Sequence, residues 1–251
     1  MRHIQYFLGL LVACSTGLLA GCSSVYMPNV PNTPMFTQQG EISAGGHVTL
    51  KGNFSFNGAY AVSDHFGVMM NASHLNNQRE KENFRHSLFE VGGGYFTTFG
   101  ANKNRILEAY AGIGRGSSNR TEKDVTAEST VISDRVSGNF DKYFLQVNFT
   151  SKRKKDLRLF GSYFPLNYGT ALRMSYVDMF RHVRNGEIQT TEDNIFLEPI
   201  FYTRLAITPA VQLQYTSGGN IGLKNRKALT AGYSVFSLGL VVNIGGRNLG
   251  R

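Results

Sequence analysis

Few side chains in this chain could carry covalent or metal chemistry. Histidine occurs at His3, His47, His65, His74, His86 and His182. None of them stands at metal-ligand spacing from another histidine or from a cysteine, and there is no HExxH. A hydrolase of the Ser-His-acid type needs three groups that converge. His86, Ser87 and Glu90 invite that reading, as do Ser73 and His74. Neighbouring residues on a strand point to opposite faces, so neither Ser–His pair can meet within its own strand. Gly92-Gly93-Gly94 could suggest a phosphate cradle, but it sits in a strand pattern with no helix after it, and the cradle depends on a helix N-terminus. Glycines there fit a place where a small sheet narrows or bends. No catalytic residue, metal ligand or cofactor site is expected.

The two cysteines carry a different chemistry. Cys14 lies in an apolar leader, and Cys22 directly follows Leu19-Ala20-Gly21. These four residues resemble the lipobox of bacterial lipoproteins, in which a peptidase cuts before the cysteine. The resemblance implies that Cys22 becomes the first residue and carries palmitate-type acyl chains. Residues 1–21 read as the signal peptide: Arg2 and His3 precede a short apolar run from Ile4 to Val12. A membrane-spanning helix needs about 20 such residues. Ser23 rather than an aspartate follows the cysteine, which implies delivery to the outer membrane. No acidic residue lies between Cys22 and Glu41, so the acidic export signal of surface lipoproteins is not evident. The processed chain would have neither a free thiol nor a disulfide, and its stability has to come from secondary structure.

Residues 22–39 show no hydrophobic period. Pro28, Pro31 and Pro34 recur every third residue, as in an extended, lipid-bearing tether. From residue 40 the period is two. Phe54, Phe56, Gly58 and Tyr60 alternate with Ser55, Asn57 and Ala59, and after a turn at Ser63-Asp64 the pattern resumes at Phe66. It recurs through Phe89–Phe99, Leu107–Ile113, Tyr143–Phe149, Phe160–Tyr168, Ile195–Leu205 and Phe236–Ile244. Short turns are expected near Ser63, at Gly100–Asn102, at Lys152–Asp156 and at Thr208-Pro209. Long polar loops are expected near 76–83, 117–138, 181–193 and 218–227. Such asymmetry predicts an all-β, antiparallel, up-and-down transmembrane barrel of eight to ten strands over residues 40–246. A short basic tail, residues 247–251, follows. An even strand count puts both termini on the periplasmic side. Ser237, Gly239, Val242 and Ile244 resemble the terminal signal read by the barrel-assembly machinery.

Alternation assigns Glu90, Glu108, Glu198, Arg173 and Arg204 to the lumen, because an arginine facing lipid near the midplane costs about 2–4 kcal/mol. Their mixed signs suggest a paired network that closes the barrel to ions, with Glu108 and Arg204 as members. The formal charge of +9 gathers on the short-turn side, above all at Lys152, Arg153, Lys154 and Lys155. That rim is either a solvated edge or a surface for anionic headgroups, peptidoglycan or an acidic envelope partner, each basic residue contributing about 1 kcal/mol near an anionic surface. A leader peptide argues against nucleic acid as the partner.

From Val25 to Ser73 the chain resembles the β-barrel lipoproteins common in Bacteroidota, a family with no assigned activity. The likeness is carried by Val25-Tyr26-Met27-Pro28-Asn29 after the lipobox and by Ala59-Tyr60-Ala61-Val62 before a short turn. The expected function is that of a non-enzymatic outer-membrane lipoprotein, a structural or accessory subunit of an envelope assembly. The alternatives are a lipid A-modifying enzyme, a small-solute pore, and a lipid-anchored lipocalin-like barrel with a polar exterior and an apolar cavity. Because a barrel is itself a permanent membrane element, Cys22→Ser should leave a folded, inserted protein wherever the chain reaches the assembly machinery. Loss of insertion despite normal delivery, read by heat-modifiable migration of the membrane fraction, contradicts this.

Overall fold

The computed structural model of the chain describes residues 24–126, 129–159, 161–230 and 235–245. The leader, Cys22 and the basic tail lie outside the described residues. In chain order the strands are β1 (Ile42–Thr49), β2 (Phe54–Ala61), β3 (Phe66–Gln78), β4 (Glu82–Phe99), β5 (Arg105–Val125), β6 (Thr130–Leu159), β7 (Ser162–Arg184), β8 (Glu187–Ile188), β9 (Asp193–Ala206), β10 (Val211–Gly218), β11 (Ile221–Gly222) and β12 (Val235–Ile244). Every pairing is antiparallel. β12 pairs with β1 from Ile42↔Ile244 to Thr49↔Ser237, and β7 pairs with β9 from Leu166↔Leu205 to Asp178↔Asp193. These two ladders close the sheet into a barrel of ten strands, with β8 and β11 as two-residue additions at one end. Closure leaves no sheet edge, which is what a strand protein needs in lipid.

The alternation read from the sequence is the alternation of the wall. Phe56, Tyr60, Val68, Met70, Val91, Leu107, Leu145, Val147, Leu172 and Leu240 face outward and are exposed. Their chain neighbours Asn57, Asn71, Glu90, Glu108, Gln146, Asn148 and Arg173 face inward and are buried. An apolar exterior around a polar interior is the outer-membrane type of barrel and the reverse of a lipocalin. On β5, Arg105 and Arg115 bracket the outward run Leu107–Ile113. They lie ten residues apart, about 33 Å along the strand and about 25 Å in height at a tilt near 40°, the height of an outer-membrane apolar band.

One mouth carries the short turns: residues 62–65, 100–104, 160–161 and 207–210, together with the ends of β1 and β12. The other carries the longer hairpins. Two expectations about connections need correction. Residues 152–156 are not a turn. β6 continues through them past an irregularity between Ser151 and Lys155, and pairs with β7 up to Leu159↔Ser162. Nor is 117–138 a loop: β5 and β6 stay paired out to Val125↔Thr130. Both stretches are polar on each face because they stand beyond the apolar band, where a strand has no apolar side to show. Likewise β3 and β4 pair to Gln78↔Asn83, inside the loop expected at 76–83.

The glycines inside the wall serve packing. Gly92 pairs with Gly112, and a Cβ on Gly112 would collide with the Phe144 ring. The bare backbone makes room for an inward aromatic, and no helix follows.

An outward residue in the middle of the band tests the face assignment. Leu145→Arg should destabilise the barrel by about 2–4 kcal/mol, read as a shift in urea unfolding from lipid vesicles. An unchanged midpoint would mean that this face does not meet lipid.

Candidate functional site

The lumen is occupied by the chain itself. Every residue from Ser24 to Phe36 is buried, and the segment runs up the inside of the barrel from the short-turn mouth. At Thr37 and Gln39 it still bonds with that mouth: Thr37 N–H donates to Glu41 at 2.7 Å, and Gln39 N–H to Asp64 at 2.9 Å. At its other end Val25 N–H donates to the carbonyl of Ala228, in the hairpin-side loop before β12, at 3.1 Å. Twelve steps at the polyproline rise make about 37 Å, enough to pass from mouth to mouth. The expectation of a tether lying outside the barrel is corrected for this stretch. The first described residue, Ser24, and the last, Gly245, lie at opposite mouths, which does not fit two termini on one side; the termini themselves are outside the described residues.

An extended segment without a neighbouring strand has no ladder to satisfy its peptide groups, and buried peptide groups need partners. Pro28, Pro31 and Pro34 remove three donors. Lumen side chains meet others. His86 Nε2 accepts from Met27 N–H at 3.3 Å, and Glu108 Oε1 accepts from Met35 and Phe36 N–H at 3.1 and 3.2 Å. Asn57 Nδ2 donates to the Val30 carbonyl at 3.2 Å. Gln146 and Asn148 donate to that of Asn32 at 2.6 and 3.3 Å, and Arg204 to that of Thr33 at 2.5 Å.

Apolar side chains of the segment fill separate pockets along the way. Phe36 packs among Ala59, Ala61, Met69, Phe96, Tyr110 and Phe144. Met35 meets Ile106, Ala171, Ile200 and Tyr202, and Met27 meets Leu75 and Phe84. Tyr26 stacks on Phe196 with centroids 4.6 Å apart, takes Phe140 edge-on at 5.6 Å, and donates its hydroxyl to Glu198 at 2.7 Å.

The five lumen charges expected from the sequence are all buried, but they form two groups. Near the hairpin mouth Glu90 pairs with Arg173 at 3.0 Å and with Lys142 at 2.8 Å, and Lys142 reaches Glu198 at 3.5 Å. Two cations and two carboxylates balance there, and the Arg173 guanidinium lies 4.5 Å from the Phe144 ring centroid. Glu108 and Arg204 are not in that cluster, and no ion pair between them is found among the described residues. Glu108 binds Tyr110 and Asn148, Arg204 binds Gln214 at 2.6 Å and Thr33, and the Thr33–Phe36 stretch runs between them. Lys142 was missed from sequence. Alternation places it on the face of Gln146 and Asn148, which was the available signal.

His86 points inward and Ser87 outward, as the strand period requires. Outside, Ser87 meets His74 of β3 at 2.9 Å. His74 has Phe54 as its partner on the other side, not a carboxylate. Among the described residues no three His, Cys, Asp or Glu side chains could hold a metal. At the short-turn rim Lys152 is half-buried and lines a cleft with Pro34, Phe36, Glu41 and Asn243. The side chains of Arg153, Lys154 and Lys155 are outside the description, as are Leu19, Ala20, Gly21 and Cys22.

No protein-family model and no curated protein matches the chain. Among solved structures, the translocator domain of the autotransporter NalP from Neisseria meningitidis is similar over 98% of this chain and 86% of its own, at 13% identity and a TM-score of 0.44. A structure of the FpvAI–pyocin S2 complex is similar over 85% of this chain and 42% of that one, at 10% identity and a TM-score of 0.24. Neither likeness bears on function.

Removing one member of a buried ion cluster leaves the others uncompensated and costs about 3–5 kcal/mol. Glu90→Gln should therefore lower the denaturant midpoint strongly. Tyr26→Phe, which removes one donor to a carboxylate, should cost about 1.5–3 kcal/mol. A Glu90→Gln variant as stable as the parent would show that the cluster does not hold the lumen together.

Proposed function

We propose that this protein is a non-enzymatic outer-membrane lipoprotein, anchored by acyl chains on Cys22, whose sealed barrel serves as a structural or accessory subunit of an envelope assembly. The short turns face the periplasm in this reading and the long hairpins face outward, as in other barrels of this type. The observation that carries it is the occupied lumen. A pore needs a wet passage, whereas here thirteen successive residues, Ser24–Phe36, are buried along the axis and bonded to the wall at several heights. The envelope partner is reached from the periplasmic rim around Lys152, and the Bacteroidota resemblance of the Val25–Asn29 start fits a segment whose side chains match their own lumen.

A second reading, a lipid-modifying enzyme, has one observation in its favour: the outward His74–Ser87 contact at 2.9 Å. A nucleophilic serine also needs its histidine oriented by a third group. The cross-strand place where that group would stand holds Phe54.

In planar bilayers the intact protein should show no conductance steps of porin size, and a variant lacking residues 24–36 should show them if it folds. Large steps from the intact protein would overturn the sealed-barrel reading.

A further inference from the structure

We propose that the N-terminal lipid leaves the barrel through the hairpin mouth, so that the acyl chains on Cys22 enter the outer leaflet, on the side of the membrane opposite the short turns and the C-terminal strand end. The proposal rests on the reading of Cys22 as a lipid anchor and of the short turns as periplasmic. It adds the route and the leaflet.

The route follows from the described part of the segment. Its direction is fixed at three heights: Phe36 among Ala61 and Met69 near the short turns, Asn32 at Gln146 and Asn148 in the middle, and Val25 at Ala228 under the hairpin-side loop. Val25 and Tyr26 pack with Phe140 and Val177. The next residues on those two strands, Asp141 and Asp178, face outward, and Asp141 pairs with Arg115 at 2.7 Å. Arg115 is one of the two arginines bracketing the apolar run of β5. The segment thus arrives at the level where the apolar band gives way to headgroups on the hairpin side.

The leaflet follows from covalent reach. Cys22 precedes Ser24 by two residues, and two residues span at most about 7 Å. The apolar band is about 25 Å tall. A lipid on Cys22 cannot return to the short-turn side through a lumen already filled by residues 24–36, and it is too close to Ser24 to go around the wall. The leaflet within reach is the outer one. The arrangement also implies an order of events. Acylation takes place before the barrel exists, so the wall must close around a segment that already bears its lipid.

Under the anchor reading the processed chain has no free thiol, which makes single introduced thiols clean probes. A Gly-Cys-Gly insertion between Ser23 and Ser24 is compared in intact cells with Thr191→Cys at the hairpin mouth and Pro209→Cys in a short turn, using a membrane-impermeant maleimide. The inserted thiol should label as Thr191→Cys does, and Pro209→Cys should label only after permeabilisation. Labelling of the insertion only after permeabilisation would overturn the proposal. If instead the two controls behave alike or in reverse, the orientation in the underlying reading has failed. Mass measurement of the N-terminal peptide tests the lipid separately. Should the insertion disturb folding, Val25→Cys combined with Ala228→Cys provides a second test. Mild oxidation should link the pair in the heat-modifiable barrel, and a folded barrel with no link would overturn the route.

Discussion

A single extended strand held inside a tube has no neighbour to share a hydrogen-bond ladder, and most of this molecule's interior follows from that constraint. Each peptide group of Ser24–Phe36 that is neither proline nor locally bonded needs a side chain at the right height on the wall. Glu108, Asn57, Gln146, Asn148, His86 and Arg204 meet that need in turn. The lumen is polar, yet it is not a water channel, because its polarity is turned toward a peptide.

The charges obey a second rule, neutrality in a small volume. Lys142 and Arg173 face Glu90 and Glu198, and the lower pair, Glu108 and Arg204, is separated by the backbone each one binds. A buried ion pair adds little net stability compared with apolar packing, but a broken one is costly. The cluster thus works less as glue than as a penalty on other registers. If the segment slid by one residue, Tyr26 would leave Glu198, and the prolines would fall where donors are required.

The wall could be read from sequence because lipid outside and polar groups inside impose a strict period of two on residues such as Phe54–Tyr60 and Tyr143–Phe149. The reading failed where that contrast ends. Residues 117–125 and 130–138 are strands with no apolar face, and polarity alone made them look like a loop. It failed again at Ser24–Phe36, where prolines and the lack of a period resemble a linker. One signal did point inward. Val25, Tyr26, Met27, Val30, Met35 and Phe36 are too apolar for a solvated tether, and each proves to be buried. What the sequence could not provide was the partner of each, since Tyr26 and Glu198 are 172 residues apart and meet only when the barrel closes.

The wall is also of very unequal height. β1, β2 and β10 have 8 residues each, whereas β5, β6 and β7 have 21, 30 and 23. At a tilt near 40° eight residues rise about 20 Å, no more than the membrane's own apolar thickness. β5 runs ten residues beyond Arg115, adding about 25 Å by the same geometry. The hairpin mouth is therefore cut on a slant, like the end of a quill. On the low side it opens into the plane of the headgroups, and on the high side a two-sided polar screen stands into solvent. A molecule diffusing along the membrane finds the entrance from one bearing and a wall from the other, so the barrel has a front and a back.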